Sequence, residues 1–154
     1  PTWDAISEAV QLYANGTYHS SSYARCGDMP DWDVGCVTSM YRLFSYDPEY
    51  SDFDDGFEIP NISAWDVGNV ETMHSMFLGA QNFNQDISSW NVGQVTNMRE
   101  MFLSASRFNQ DLSSWDVARV TSMDGMFQHA RDFNKDLSSW DVAQVTSMYG
   151  MFRG

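Results

Sequence analysis

The fold of this chain is decided by the stretch FNQDLSSWDVARVTSMDGMF at residues 108–127. A related stretch, FNQDISSWNVGQVTNMREMF, lies 25 residues earlier at 83–102, and FNKDLSSWDVAQVTSMYGMF lies 25 residues later at 133–152. The tryptophan, valines, methionines and phenylalanines are kept in all three copies, whereas several residues between them change. A fixed period of this length is typical of repeat proteins, in which each unit buries its apolar side against the next.

Tryptophans mark the units of the repeat. They occur at 32, 65, 90, 115 and 140, which divides the chain into units 1 to 5, at 32–64, 65–89, 90–114, 115–139 and 140–154. We predict that 32–154 form the repeat domain and that 1–31 form an N-terminal cap, with a helix over 2–14 followed by a loop. The helix is predicted because four apolar residues follow the spacing of one helix face: Trp3, Ile6, Val10 and Tyr13.

Two periodicities alternate within each unit. Val120, Met123 and Phe127 recur every three or four residues, as on one face of a short helix, whereas Trp115 and Val117 alternate as in a short strand. One unit cannot bury its apolar side chains alone, so the units are expected to stack. The patterns predict an α/β solenoid with one short strand and one short helix in each coil of about 25 residues. Four tryptophans are predicted to be structural, each stacked on the next: Trp65, Trp90, Trp115 and Trp140.

Two polar positions also recur in every complete regular unit. Asparagines at the first position predict an internal ladder of hydrogen bonds to the turns of successive units: Asn84, Asn109 and Asn134. Carboxylates follow two residues later, at Asp86, Asp111 and Asp136. Stacked carboxylates repel each other unless they cap turn backbone or share a cation. Turn capping is the favoured interpretation, and a column of calcium sites is the alternative.

The charge balance limits the class of partner. The chain has 8 basic and 21 acidic residues and a net charge of −13 at pH 7. Such a protein repels polyanions, so we expect no nucleic-acid partner. Residues 1–64 hold 11 acidic and 2 basic residues, and a cationic partner should favour this part. No apolar run approaches the ~18 residues of a membrane span, so no transmembrane segment is expected.

Three features bear on the length of the natural chain and on the compartment in which it works. It begins at Pro1 and stops within unit 5, so we expect a part of a longer chain or of a complex. Cys26 and Cys36 lie ten residues apart without a CxxC motif, which favours a disulfide over a zinc site. Sequons at Asn15 and Asn61 also fit an exported protein. An oxidising compartment is therefore predicted, at the cell surface or outside the cell.

An acidic insertion in unit 1 is the main candidate for binding. Residues 45–58 read SYDPEYSDFDDGFE and combine six acidic with four aromatic residues. A partner contact, a solvated loop and an ion site are all open, although EF-hand spacing is absent. The candidate partner-binding residues of the insertion are Tyr46, Asp47, Glu49, Tyr50, Asp52, Phe53, Asp54, Asp55 and Phe57. Variable positions of the regular units add Arg99, Glu100 and Tyr149.

The repeat resembles that of the BspA-like bacterial surface proteins, which are relatives of leucine-rich-repeat proteins. The resemblance is carried by NISAWDVGNVETMHSMFLGAQNFNQDISSWNVGQVTNM at 61–98 and by the copies that follow. It implies a right-handed, leucine-rich-repeat-like superhelix and a role in surface display, adhesion or protein–protein contact. It brings no enzymatic activity. Because the family also occurs in unicellular algae, the thylakoid lumen is an alternative location.

No catalytic constellation is apparent in the sequence. The three histidines lie at different positions of their units, and no HExxH, GxSxG or phosphate-cradling glycine motif occurs. We therefore predict a non-enzymatic module for protein–protein interaction or surface recognition, without a metal or cofactor. The alternative is a scaffold or linker subunit of a larger assembly, such as a lumenal subunit of an algal photosynthetic complex. A calcium-dependent adhesin is a minor alternative.

Overall fold

The structure is a computed structural model, and it describes residues 3–14, 28–46 and 57–154. Helix α1 spans Trp3–Ala14, where the sequence predicts the N-terminal helix. It buries Ile6, Ala9 and Val10 in the core. A 3-10 turn follows at Met29–Asp31 and leads into unit 1. Among the described residues, no helix is long and apolar enough to cross a membrane.

The predicted α/β solenoid is wrong, and so is the leucine-rich-repeat-like superhelix that the resemblance implied. Within the described part of units 1 to 5 there is no helix after the 3-10 turn and no extended strand. Neighbouring units are instead joined by isolated parallel bridges. These bridges connect Ser39 to Thr72, Thr72 to Asn97, Asn97 to Ser122 and Ser122 to Ser147.

The helix fails to form because alternate amides bond in different directions. The Met101 N–H donates to the Met98 carbonyl three residues back, at 3.2 Å, whereas the Phe102 N–H donates to Met126 in the next unit, at 2.9 Å. The Glu100 N–H likewise donates to Asp124 at 2.8 Å. In an α-helix every one of these amides would donate within its own segment. The result is a row of turns that is hydrogen-bonded to the following unit.

Backbone conformation also excludes a helix at this point. Ser75, Glu100 and Gly125 occupy the same position in units 2, 3 and 4, and their φ angles are 55°, 56° and 58°. A left-handed residue cannot continue a right-handed helix. The three-to-four spacing of Val120, Met123 and Phe127 therefore identified buried side chains, but it did not identify the backbone structure.

The core consists of columns of identical side chains. Trp65, Trp90, Trp115 and Trp140 are all buried, as are the valines of units 1 to 4 and most methionines of the repeat. Two columns of phenylalanine run through the units. In the first, Phe77 and Phe127 flank Phe102, with ring centroids 5.5 Å and 5.6 Å from it. In the second, Phe83, Phe108 and Phe133 follow at 5.8 Å and 6.0 Å.

The tryptophans contribute in another way than predicted. Among the described residues, Trp32 and Trp65 form the one stacked pair of indoles, with centroids 6.4 Å apart. The later indoles donate to carbonyls of the preceding units, as Trp115 does to Ile87 at 3.1 Å and Trp140 to Leu112 at 2.9 Å. The buried Trp90 Nε1 has no hydrogen-bond partner in the structure. Successive units are therefore connected by indole hydrogen bonds and by stacked phenylalanine rings, whereas the sequence predicted stacked tryptophans.

Candidate functional site

Most of the predicted binding insertion lies outside the described residues. Residues 47–56 lie outside the described residues, and they include Asp47, Glu49, Tyr50, Asp52, Phe53, Asp54 and Asp55. Tyr46 and Phe57, which flank them, are half-buried and pack against the core. The role of the insertion in binding a partner or an ion therefore stays a prediction.

Two of the other predicted residues, Arg99 and Tyr149, belong to one surface row, and Glu100 lies next to it. We define the variable row as Tyr41, His74, Arg99, Asp124 and Tyr149, which occupy the same position in units 1 to 5. Each follows the bridge residue of its unit by two positions. Since the bridges hold the units in register, five side chains of four kinds are presented next to one another on a fixed backbone. The structure thus brings Arg99 and Tyr149 into one surface, with Glu100 beside Arg99.

Polar contacts link the middle of the variable row. The Arg99 guanidinium lies 3.0 Å from the Glu100 carboxylate, and His74 Nε2 lies 3.6 Å from it. The buried Ser75 hydroxyl donates to the same carboxylate at 3.2 Å. Tyr41 covers the His74 ring at a centroid distance of 5.1 Å. Glu100 therefore joins units 2 and 3 and fixes the orientation of its neighbours.

Two residues of the row, His74 and Asp124, have lowered pKa values. Partial burial lowers the pKa of His74, although the Glu100 carboxylate opposes this effect. The Ser147 hydroxyl and the Tyr149 N–H both donate to Asp124, and these hydrogen bonds lower the pKa of its carboxyl. Below its lowered pKa range the imidazole is charged and above it neutral, so at neutral pH the row presents a neutral His74 next to Arg99, with the Glu100 carboxylate in contact with both.

The recurring asparagines and aspartates serve the turns. Asn84 Oδ1 accepts the Asn109 N–H at 2.9 Å, and Asn109 Oδ1 accepts the Asn134 N–H at 3.2 Å. This is the ladder expected from the sequence, but Asn84 and Asn134 are exposed rather than internal. Each aspartate accepts the N–H of the serine two residues on, in the pairs Asp86–Ser88, Asp111–Ser113 and Asp136–Ser138.

Two further predictions concern cysteine and metals. Cys36 is an exposed free thiol, so the predicted Cys26–Cys36 disulfide is not supported. Cys26 itself lies outside the described residues. In the described part of the chain, no group of three or more His, Cys, Asp or Glu side chains could hold a metal ion.

A cleft beside the insertion was missed in the sequence. It has a volume of about 300 Å³, and its walls include Phe44, Tyr46, Phe57, Glu58 and Phe83. Amide side chains form part of its rim, at Gln81, Asn82, Asn84 and Gln85. The repeat pattern contained a sign of this difference. Glu58 stands seven residues before Trp65. At the same distance before Trp90 and Trp115 the chain has Phe83 and Phe108.

Comparison with known proteins gives a family match. The model of the family described as "Mycoplasma protein of unknown function, DUF285" matches residues 49–154. Neither the curated proteins nor the solved structures contain a significant match to the chain.

Proposed function

Because the chain belongs to the DUF285 family, whose description names no activity, we propose a function from its surface: a non-enzymatic module that recognises protein partners through the variable row. A scaffold or linker role in a larger assembly would use the same surface. The two differ in whether one partner is held permanently or several are bound weakly.

The observation that carries this proposal is the contrast between the interior and the row. The interior positions hold nearly the same residue in every unit, as the buried Met73, Met98 and Met123 do. The adjacent outward positions hold an imidazole, a guanidinium and a carboxylate, at His74, Arg99 and Asp124. Recognition surfaces are commonly built this way, with variable side chains on a rigid repeated framework.

The row also has the composition of a protein contact surface. Tyr41 and Tyr149 stand at its two ends and Arg99 at its centre, and tyrosine and arginine are the residue types enriched at binding hot spots. Tyr149 is 78% exposed, so its ring is available to a partner. Arg99 is held by Glu100, which reduces the side-chain entropy that binding would otherwise remove.

The finer assignment is a surface protein of the BspA-like type, exported from the cell. The repeat pattern at 61–98 supports it. The exposed Asn61 of the sequon at 61–63 is compatible with it. The free Cys36 thiol removes one reason for an oxidising compartment. Export to the cell surface or to a lumen thus rests on the resemblance and on the sequons.

Capture of partners on the immobilised protein, followed by mass spectrometry, tests the proposal. Arg99→Glu combined with Tyr149→Ser should reduce the captured proteins by about tenfold, the effect of removing a hot spot. Arg131→Glu is the matched control, because Arg131 is exposed outside the row and undergoes the same change of charge. One stoichiometric partner would indicate a scaffold, and several weak partners a recognition module. Equal capture by all three proteins would exclude the row.

A further inference from the structure

An imidazole and a guanidinium of the variable row share one carboxylate. Glu100 Oε1 accepts from Arg99, whose Nε and Nη2 each lie 3.0 Å away. Glu100 Oε2 faces unit 2, where the Ser75 hydroxyl donates to it at 3.2 Å and His74 Nε2 lies 3.6 Å from it. The separation of 3.6 Å suits an ion pair but is too long for a hydrogen bond. We call His74, Arg99 and Glu100 the His–Glu–Arg cluster.

Arg99 keeps hydrogen-bond donors for a partner. A guanidinium has five N–H groups, and Glu100 engages only the edge formed by Nε and Nη2. Among the described residues nothing accepts from Arg99 Nη1, and the side chain is half exposed. Asp124 of the next unit is turned elsewhere, because its Oδ1 accepts the Tyr149 N–H at 2.7 Å and the Ser147 hydroxyl. The remaining edge of Arg99 therefore suits a carboxylate, which a guanidinium can bind through two parallel hydrogen bonds.

His74 adds a second contact whose chemistry changes with pH. The Glu100 carboxylate favours the neutral tautomer with hydrogen on Nε2, which leaves Nδ1 as an acceptor. Protonation turns Nδ1 into a donor and adds one positive charge. Within the described part of the chain Nδ1 has no hydrogen-bond partner, and the side chain is 27% exposed. A partner carboxylate beside Arg99 would thus meet an acceptor at neutral pH and a charged donor at acidic pH.

The groups that face His74 determine when it carries its charge. Partial burial is the largest effect and lowers the pKa of His74 from the ordinary value of 6.5. Glu100 raises this pKa, whereas Arg99 and Arg42 lower it further. Tyr41, which covers the ring at 5.1 Å, is uncharged in this range. A carboxylate placed next to the ring would raise the pKa again, so carboxylate binding and proton uptake favour each other.

The net charge of the chain, −13, limits the size of such a partner rather than its sign. Charges are screened over about 8 Å at physiological ionic strength, so the groups in contact decide the local interaction. Arg99 and Glu100 balance each other, and protonated His74 gives the cluster one net positive charge. The field of the whole protein still repels an extended polyanion, which favours a short acidic segment.

We infer that the His–Glu–Arg cluster binds an acidic segment of the protein partner, and that it binds this segment more tightly at acidic than at neutral pH. The inference rests on the proposed function, because the cluster lies in the middle of the variable row. It adds the chemistry of the partner, a carboxylate side chain, and a condition that regulates the contact.

Short peptides test the inference without knowledge of the natural partner. Blocked Gly-Glu-Gly-Glu-Gly and its counterparts with glutamine or lysine are titrated against the ¹⁵N-labelled protein at pH 7.5 and pH 5.0. The glutamate peptide should shift the amide signals of the cluster and bind about three- to fivefold more tightly at pH 5.0, the effect of one ion pair. The other two peptides should show no such gain. The glutamate peptide should also raise the pKa of His74, measured from its imidazole ¹⁵N signals. Equal affinity at the two pH values, or an unchanged pKa, overturns the inference.

Variants at His74 separate its charge from other titrating groups. His74→Gln cannot gain a proton and should lose the increase at pH 5.0. His74→Arg is always charged, and unit 3 already has Arg99 at this position, so it should bind the glutamate peptide at pH 7.5 about as tightly as the wild type does at pH 5.0. A gain that persists in His74→Gln would contradict the role of this imidazole.

His129→Ser is the matched control. His129 is exposed outside the row, and Ser104 occupies the same position in unit 3 with the same φ of 59°. This variant should keep the full gain at pH 5.0, and its loss would assign the pH dependence to His129 and overturn the inference.

The capture experiment distinguishes this inference from the proposed function. Loss of capture in Arg99→Glu combined with Tyr149→Ser, together with peptide binding that does not depend on pH, would keep the row as the contact surface and reject the acidic segment. Equal capture by these variants and the wild type would instead reject the row as the partner surface, even if the glutamate peptide bound as expected.

Discussion

The rings of Phe102 and Phe108 lie 4.0 Å apart, with 9° between their planes, although the two residues are six positions apart in the sequence. Phe102 also contacts Phe77 and Phe127 in the neighbouring units, at 5.5 Å and 5.6 Å. One ring therefore belongs to three units at once. This explains why the phenylalanine positions change less than any position at the surface.

Truncation of a central ring should destabilise several units together. Phe102→Ala removes a fully buried ring and leaves a cavity between two columns, so it should lower the free energy of unfolding by about 3–5 kcal/mol. Urea denaturation followed by tryptophan fluorescence measures the loss.

Phe152 offers the matched control, because it continues the same column but is 62% exposed. Phe152→Ala should cost much less, about 1 kcal/mol. Similar losses in the two variants would show that the column is not the main source of cooperation between units.

The left-handed turn position of unit 4 should favour glycine over alanine. Gly125 has a φ of 58°, and an added Cβ would meet Gln128 Oε1, the end of a flexible side chain, at 3.2 Å. Gly125→Ala should therefore lower the free energy of unfolding by about 1–2 kcal/mol, mainly because alanine is strained in the left-handed backbone conformation. Thermal unfolding provides the measurement.

Gly93→Ala is the corresponding control. Gly93 has no left-handed φ, and units 4 and 5 already have Ala118 and Ala143 at this position. The variant should be neutral or slightly more stable, because alanine restricts the unfolded chain. A loss as large as that of Gly125→Ala would contradict the turn geometry.

The asparagine ladder should contribute modestly. Asn109→Ala removes the acceptor of the Asn134 N–H and should cost about 1 kcal/mol, the usual net contribution of one hydrogen bond. Amide hydrogen exchange at Asn134 should become faster in the variant. Asn82→Ala serves for comparison, since Asn82 is exposed and lies outside the ladder. Unchanged exchange at Asn134 would show that water replaces the side chain at no cost.

The aspartate turns should make stability depend on acidic pH. The Ser113 N–H and hydroxyl both lower the pKa of Asp111, and the Ser138 N–H and hydroxyl do the same for Asp136. A carboxyl with a lower pKa in the folded state stabilises the fold above its unfolded pKa of about 3.9. This contribution is lost as the pH falls through the folded value.

Melting temperatures between pH 7 and pH 2 test this expectation. The wild-type protein should lose stability below about pH 4, and Asp111→Asn combined with Asp136→Asn should lose less of it. Asparagine keeps an acceptor oxygen for the same turns, as Asn91 does for Gly93 at 3.2 Å. A variant with the same acid dependence as wild type would assign the effect to other carboxylates.

The sequence predicted which side chains face inward, because any chain that repeats regularly must hide its apolar side. It did not predict the path of the backbone. The spacing of Val120, Met123 and Phe127 is compatible with a helix. It is equally compatible with a row of turns in which every second N–H donates to a carbonyl of the next unit. The spacing of apolar residues does not reveal in which direction the backbone hydrogen bonds run. The glycines at 125 and 150 did indicate left-handed turns.

The candidate site was also predictable only in part. Arg99, Glu100 and Tyr149 could be selected in advance because they differ between units, and the bridges place two of them in one row. The cleft was not predicted, because Glu58 is one of six acidic residues in the insertion and composition alone does not distinguish it from the others. The informative feature of Glu58 is its replacement of a phenylalanine, which only becomes meaningful once the second column is known.

The bonds between units have a consequence for how such a molecule can change in size. The backbone amides at 73, 98 and 123 all donate toward the unit that follows, so every junction has the same polarity and register. Copying one whole 25-residue block in frame would create a junction like those already present, and the molecule would lengthen without disturbing its interior. A gain or loss of one or two residues inside a block would misalign all the columns at once. Evolution can therefore adjust the reach of this protein in whole steps, while it alters the exposed chemistry of each step independently.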